Sequence, residues 1–317
     1  MAGVVNGGKY KQIFSDYERG MFILQAQETI LHYNPLIGLF PNQKVNTKDV
    51  TIVEELPIDK YDDKLPKGKR LAKGASARRF RGELTSPKGF TMVKNAIEYV
   101  IDKEDMENEY FQLTNEVQAM SFILGKDMTK TIFDVMKKYA KPMDTTKMKL
   151  KWGDANTEYS DILNDIVRMK KQLRDKNINK IDNFVYGDEA ITTLAAKSQV
   201  ESTRYEFQKE GFYVDDTMRI SGANHFWGGM DLEDGEVYGF NYAQPALQIF
   251  YKKPSNPHVQ NVPSIPGYEE VTPAVNMLMY DNSDTEEDPQ VTIKMSCTMG
   301  AYPIGDGNKM VKLGNIL

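Results

Sequence analysis

Hydrophobic residues recur every three or four positions over residues 105–139, the strongest periodic pattern in the chain. This spacing predicts one α-helix with a continuous apolar stripe, roughly 50 Å long at 1.5 Å per residue. Lys137 and Lys138 suit the negative end of the helix dipole, and Pro142 stops the helix. The stripe consists of Met106, Tyr110, Leu113, Val117, Met120, Leu124, Met128, Ile132, Val135 and Tyr139.

The apolar stripe of this helix is wider than the seam of a coiled coil. Phe122, Ile123 and Phe133 lie beside the repeating positions. A broad stripe favours a helix that lies across a sheet over one that joins a coiled coil. Gly125 costs about 1 kcal/mol relative to alanine in a helix, and we interpret it as the mark of a bend.

Shorter helices are predicted on both sides of the long one. The helix over 17–33 ends before Asn34-Pro35, because the residue before a proline is pushed out of helical space. A lone helix of this length is marginal in water, so we expect it to dock on another surface, for which a neighbouring subunit is one candidate. Two more helices are predicted over 157–175 and from Asp188 through Lys197, with Thr157 and Asp188 as their N-caps.

Two strand-like runs, 48–58 and 80–92, flank a long polar stretch. The β-branched residues of the first run favour a strand, whereas Pro87 and Gly89 interrupt the second. The stretch between them, 59–81, has many charges and few apolar residues. Such a two-stranded excursion cannot bury its own faces. It either lacks order by itself or is covered by another molecule, and the second alternative favours a protein that assembles.

The second half of the chain is rich in short strands. A buried strand at 184–186 lies between two predicted helices, which is typical of a mixed helix and sheet architecture. Prolines over 254–266 predict an extended linker, and Gly300 to Pro303 predict a turn region. Further strands are predicted at 212–214, 237–242, 246–251, 291–295 and 309–313.

Composition narrows the classes of function. The 317 residues carry a net charge of −5 and a pI of about 5.5. A dedicated nucleic-acid binder usually has a basic excess, because phosphate contacts supply much of its affinity. We expect no membrane span and no secretory signal, because no long apolar run occurs and the first residues are small and polar. Cys297 is the single cysteine, so no disulfide can form within the chain.

The charges are segregated along the chain. Residues 67–81 hold seven basic residues and no acidic one, whereas 281–288 hold five acidic residues and no basic one. Such polarity suits contacts between identical copies, and two solvated loops are the alternative. The predicted inter-subunit contacts are Lys67, Lys69, Arg70, Lys73, Arg78, Arg79, Arg81, Asp284, Glu286 and Glu287.

No motif in the sequence predicts a catalytic, cofactor or metal site. The three histidines lack zinc-ligand spacing, and no P-loop, dinucleotide fingerprint or nucleophile elbow occurs. The acidic segment lacks the turn glycine of a calcium loop. The most site-like cluster is His225-Phe226-Trp227 beside Gly228-Gly229, which we interpret as a packed aromatic turn. Cys297 is interpreted as a small core residue.

The order of these elements resembles the major capsid proteins of tailed viruses, the Hong Kong 97-like fold shared with encapsulin nanocompartments. The segments "NFVYGDEAITTLAA" and "VTIKMSCTMGAYPIGDGNKMVKLGNIL" match the strand-then-helix of its axial domain and the return to its peripheral domain. The resemblance implies an α+β fold. Its predicted parts are an N-terminal arm at 1–45, an extended β-hairpin loop at 46–92, a peripheral domain at 93–144 with a spine helix at 105–139, an axial domain at 145–265 and a return to the peripheral domain at 266–317.

The resemblance also implies a structural role without catalysis or cofactors. Pentamers and hexamers of the chain would form an icosahedral shell that encloses dsDNA without sequence-specific binding. Scaffold, portal and decoration proteins would be further partners, the location would be the virion, and assembly would take place in the host cytoplasm. Two alternatives stay open: an encapsulin-like cellular shell with a protein cargo, and a soluble α/β enzyme with a site near His225.

Overall fold

The computed structural model describes residues 11–12, 16–53, 87–102, 104, 113–145, 148–174, 181–201, 217–220, 222–228, 235–253, 273–281, 290–307 and 309–317. In this part of the chain, no helix is both long and apolar enough to cross a membrane. The helices are α1 (Asp16–Tyr33), α2 (Leu113–Tyr139), α3 (Tyr159–Arg174) and α4 (Asp188–Glu201), with short 3-10 helices at Pro35–Gly38 and Ile304–Gly307.

The strands form two large mixed sheets and one separate hairpin. The strands are β1 (Lys11–Gln12), β2 (Asn42–Val45), β3 (Asp49–Ile52), β4 (Lys88–Thr91), β5 (Val93–Asp102), β6 (Lys141–Pro142), β7 (Asn183–Tyr186), β8 (Thr217–Ile220), β9 (Ala223–Trp227), β10 (Val237–Phe240), β11 (Leu247–Lys252), β12 (Val275–Asp281), β13 (Gln290–Pro303) and β14 (Met310–Leu313).

The longest strand, β13, organises the first sheet, called the β13 sheet below. One edge of β13 pairs with β5 in antiparallel register, from Met299 opposite Val93 to Gln290 opposite Asp102. Its other edge is shared by β11, which pairs with Met299 to Pro303, and by β12, which pairs with Val291 to Cys297. On this edge, the strand that pairs with β13 therefore changes from β12 to β11 at Thr298. Strands β2 and β1 extend the sheet beyond β11 and β12.

Helix α2 packs across the β13 sheet, as its wide apolar stripe predicted. The stripe residues Val117, Met120, Leu124, Met128 and Ile132 are buried. The Ser121 hydroxyl lies 3.7 Å from the Met295 sulfur, so this face of α2 contacts β13. Of the residues expected to widen the stripe, Phe133 is buried but Ile123 is 47% exposed, because its position rotates it away from the sheet. The predicted end at Tyr139 is confirmed, whereas the predicted start at 105 lies outside the described residues.

Helix α1 packs on α2 and on β12 of the same chain. Its residues Ile23, Ala26 and Ile30 are buried, and Gln27 Nε2 donates to the Pro273 carbonyl at 2.7 Å. The buried face of α1 therefore docks on the chain's own core. Within the predicted arm, the residues that the structure describes join the rest of the chain through β1, α1 and β2. The predicted boundary at residue 45 stays a prediction.

Gly125 marks a close helix contact where a bend was predicted. A methyl group at its Cβ position would lie 2.3 Å from Asn34 Nδ2 and 3.4 Å from Ile30 Cγ2. Asn34, at the end of α1, is buried, and its side chain makes two hydrogen bonds. Its Nδ2 donates to the Ile30 carbonyl at 3.1 Å, and its Oδ1 accepts from Thr129 Oγ1 at 3.1 Å. The missing side chain at position 125 therefore lets the two helices approach.

The second sheet, called the β10 sheet below, has the strand order β6-β14-β10-β7-β9-β8. Alternate residues of its central strand β7 face opposite ways: Phe184 and Tyr186 join a core with α3 and α4, whereas Val185 joins the core around α2. All four residues of β7 are buried, as expected for a strand covered on both faces. The predicted helices at 157–175 and from 188 are confirmed by α3 and α4.

Several other sequence predictions can be compared with the strands. Those at 184–186, 237–242, 246–251 and 309–313 are confirmed, with small differences at their ends. The turn predicted at Gly300 to Pro303 is wrong, because these residues continue β13 and pair with β11. The aromatic turn predicted at His225 is also wrong, since His225 lies within β9. The predicted strand at 212–214 and the linker at 254–266 lie outside the described residues.

Candidate functional site

The hairpin formed by β3 and β4 stands on the face of the β13 sheet opposite α2. Its strands pair in antiparallel register, with Val50 opposite Phe90, and Thr91 Oγ1 donates to Asp49 Oδ1 at 2.5 Å. This pairing confirms that the two predicted runs meet as the base of a hairpin. The connection over 54–86 lies outside the described residues. A connection of this length could extend at most roughly 50 Å and return.

An aromatic cluster fixes the hairpin base to the sheet. The Phe90 ring lies 5.5 Å from the Phe250 ring and 5.7 Å from the Tyr302 ring, measured between centroids. Met92, Phe250 and Tyr302 are buried in this cluster. Aromatic contacts of this kind contribute about 0.5–1.5 kcal/mol each beyond the area that they bury. The hairpin is therefore docked at its base by contacts within the chain.

Gly300 provides the space for this docking. A Cβ atom at position 300 would lie 2.6 Å from Phe90 Cε2 and 3.2 Å from Met92 Cγ. The sequence prediction missed this role, since the Gly-Ala-Tyr-Pro run was interpreted as a turn. The glycine beside two aromatic strands is the signal that could have suggested a close approach between layers.

Strand β5 is an exposed part of the β13 sheet that was not predicted as a strand. It pairs with β13, and the structure describes no strand on its other edge. Val93, Tyr99 and Val100 are 53%, 38% and 49% exposed. The cross-strand ion pair between Lys294 Nζ and Glu98 Oε2, 2.7 Å apart, adds polar character to the same strand. An exposed ten-residue strand is a surface on which another chain can dock.

The geometry around His225 is that of a core residue. His225 is 0% exposed, and its ring stacks on Phe184 with the centroids 5.0 Å apart. Its Nδ1 lies 2.6 Å from the Tyr186 hydroxyl. Burial raises the pKa of Tyr186, so this hydroxyl stays protonated and can donate to the histidine. The arrangement satisfies a buried polar pair and leaves no accessible surface on His225 for a substrate.

Asp165 is a second buried titratable group, and it too has structural partners. Trp152 Nε1 donates to Asp165 Oδ2 at 3.1 Å, and Arg168 forms an ion pair with Oδ1 at 2.9 Å. Burial raises the pKa of Asp165, while the Trp152 and Arg168 contacts act in the opposite direction. These contacts tie α3 to the loop before it. The Asp165 carboxylate therefore has a structural role in the core beside the β10 sheet.

Cys297 lies in the core, as the sequence interpretation expected. It is 1% exposed on β13, and burial raises the pKa of its thiol, which keeps the sulfur protonated and unreactive. Among the residues that the structure describes, no group of three or more His, Cys, Asp or Glu side chains could hold a metal ion.

Comparisons with known proteins agree with this geometry. No protein-family model and no curated protein matches the sequence. The virus-like particle protein from Pyrococcus furiosus matches with a TM-score of 0.56 and 10% identity, over 92% of this chain and 96% of that chain. The mature capsid protein of bacteriophage PhiM1 matches with a TM-score of 0.56 and 9% identity, over 99% and 90%. Mycobacterium phage Che8 matches with a TM-score of 0.52 and 12% identity, over 99% and 94%.

The chain has the Hong Kong 97-like capsid fold. The predicted α+β class and the predicted resemblance are therefore confirmed. Helix α2 lies within the range of the predicted spine helix, and β3 and β4 lie within that of the predicted extended loop. The domain boundaries stay predictions. All the predicted inter-subunit contacts lie outside the described residues: Lys67, Lys69, Arg70, Lys73, Arg78, Arg79, Arg81, Asp284, Glu286 and Glu287.

Proposed function

We propose that this chain is a major capsid protein, which self-assembles as pentamers and hexamers into an icosahedral shell around a dsDNA genome. The observation that carries the proposal is the extent of the structural match. Shell-protein structures match over more than nine-tenths of this chain and about nine-tenths or more of their own. The whole chain, and not one shared motif, therefore has the architecture of a shell subunit.

The proposed mechanism is assembly without chemistry. The aromatic cluster holds the hairpin base in place, so that the connection over 54–86 can extend to a neighbouring subunit. Obligate assemblies of this kind bury on the order of several thousand Å² per subunit. Closed symmetry then adds individually weak contacts into a stable shell. The buried positions of His225, Asp165 and Cys297 support a structural role over an enzymatic one.

The proposed partners follow from a shell of this class. Copies of the same chain are the principal partners, and scaffold, portal and decoration proteins are further ones. The acidic net charge of −5 favours enclosure of DNA without tight, sequence-specific binding. The proposed location is the virion, after assembly in the host cytoplasm.

Negative-stain microscopy with light scattering on the purified chain tests the proposal. We expect closed shells tens of nanometres across, or rings of five and six subunits where a separate scaffold is required. A small oligomer that persists across salt and protein concentrations would contradict the proposal. Shells that contain a protein cargo and no nucleic acid would instead support the encapsulin-like alternative.

A further inference from the structure

A basic pocket opens on the β13 sheet where the neighbour of β13 changes from β11 to β12. It encloses about 120 Å³, and three lysines from two segments line it: Lys94 of β5, and Lys252 and Lys253 at the end of β11. Ser296 and Thr298 of β13 form its floor. They alternate with Cys297 and Met299, which face the α2 core, so the pocket opens on the face that carries the hairpin. Gly300, two residues farther along β13, contacts the hairpin base.

The lining of this pocket has the chemistry of an anion receptor. The three ammonium groups are donors, and the hydroxyls of Ser296 and Thr298 and the amide of Asn276 can also donate. No carboxylate lines the pocket, and no ion pair joins the three lysines to a carboxylate within the described ranges. Like charges gathered around a concave site raise the local potential and attract an anionic group.

We propose that this pocket receives the acidic segment 281–288 of a second copy of the chain. The inference rests on the proposed function, because it requires subunits to meet. The segment offers five carboxylates and no basic group, which complements the lysines. Each subunit would carry both halves of the contact, so a head-to-tail arrangement of copies can close into a ring or a shell.

The segment's own position argues for a second copy. It connects Asp281 of β12 to Gln290 of β13, and both ends lie at the far end of the sheet. The first anchor, Asp281, lies about 17 Å along β12 from Asn276 in the pocket. The second anchor, Gln290, pairs with Asp102, which lies about 27 Å along β5 from Lys94. The nine Cα–Cα steps from residue 281 to residue 290 allow the backbone to reach at most roughly 16 Å outward. Since the segment approaches the pocket of its own chain only when fully extended, the pocket of a second copy is the favoured partner.

Charge reversal tests the pocket. In the variant Lys252→Glu/Lys253→Glu, we expect the protein concentration for half-assembly to rise about tenfold or more, because attraction becomes repulsion. The control Lys130→Glu/Lys171→Glu makes the same change in net charge at exposed positions of α2 and α3, and should assemble as the wild type does. The thermal unfolding temperature of the unassembled protein should be the same for the wild type, the pocket variant and the control variant, since the reversed lysines form no ion pair with described residues.

A reciprocal variant identifies the occupant. Glu286→Lys/Glu287→Lys alone should weaken assembly, and its combination with Lys252→Glu/Lys253→Glu should restore it. Impaired assembly without this rescue would overturn the proposed occupant. Shells that form normally but lose nucleic acid would overturn the proposal in favour of a phosphate contact, and unchanged assembly of the pocket variant would overturn it outright. The wild type separates the two proposals. If it forms shells, a negative result with the variants counts only against the pocket. If it never assembles, the proposed function itself is contradicted.

Discussion

Replacing Gly125 by alanine should destabilise the subunit by about 2 kcal/mol, although alanine is the better helix former. Helix propensity alone favours the alanine by about 1 kcal/mol. The new methyl group, however, would lie 2.3 Å from Asn34 Nδ2, and Asn34 is held at both ends of its amide by Ile30 and Thr129. Overpacking a tight core site costs about 1–3 kcal/mol, and breaking buried hydrogen bonds adds about 1–3 kcal/mol. The steric cost therefore exceeds the gain in propensity.

Urea unfolding of the unassembled chain measures this effect, and a double-mutant cycle identifies its cause. In the Asn34→Ala background the clash is absent, so Gly125→Ala should become neutral or stabilise by up to about 1 kcal/mol. Thr114→Ala, at an exposed position of the same helix, is the control for propensity and should change stability little. Equal losses from Gly125→Ala in both backgrounds would show that the contact with Asn34 is not the cause.

The sequence predicted those elements whose physics is local. The stripe from Val117 to Ile132 repeats with helical spacing, and the structure buries its members against one sheet. The end of α1 follows in the same way from Asn34-Pro35, because a proline restricts the residue before it. Periodicity and proline chemistry act within a few residues, so one sequence suffices to detect them.

Other features depend on contacts between distant segments, which one sequence does not display. Gly125 was interpreted as a bend because its partner Asn34 is remote in the chain. The Gly-Ala-Tyr-Pro run was interpreted as a turn, but Pro303 is the last residue of β13, where a missing N–H is tolerated. Strand β5 escaped prediction because Asn95 interrupts its apolar positions and Val100 lies among its polar ones, which blurs the usual alternation.

The residues of the candidate sites also divide into those that a local sequence pattern predicts and those that depend on contacts between distant segments. Charge segregation predicted contact residues at 67–81 and 284–287, and these stay predictions. Nothing in the sequence pattern indicated the pocket at Lys94, Lys252 and Lys253, because Lys94 is remote from the other two in the chain and meets them only where β11 and β12 share one edge of β13. A change of strand partner is a property of the sheet, and no local pattern encodes it.

Replacing Gly300 by valine should leave the subunit folded but lower its assembly about a hundredfold. Valine favours strands more than glycine does, so β13 itself should not suffer. Its Cβ, however, would lie 2.6 Å from the Phe90 ring, and the hairpin must lift from Phe250 and Tyr302 to make room. Overpacking of about 3 kcal/mol at this contact corresponds to roughly a hundredfold loss of the docked hairpin. Light scattering gives the assembly threshold, and limited proteolysis near Pro87 reports the lifted hairpin.

The chain offers a matched control for this prediction. Gly89 lies beside Phe90 in the same hairpin, and a Cβ there would be 3.9 Å from its nearest neighbour, the Val50 carbonyl oxygen. Gly89→Val should therefore assemble close to normally. Phe90→Ala removes the ring that the new valine side chain would strike, so Gly300→Val in that background should cause a much smaller further loss. If Gly300→Val leaves assembly and proteolysis unchanged, the aromatic base does not hold the hairpin. If Gly89→Val is equally damaging, the hairpin is sensitive to valine in general, and the space at Gly300 is not the reason.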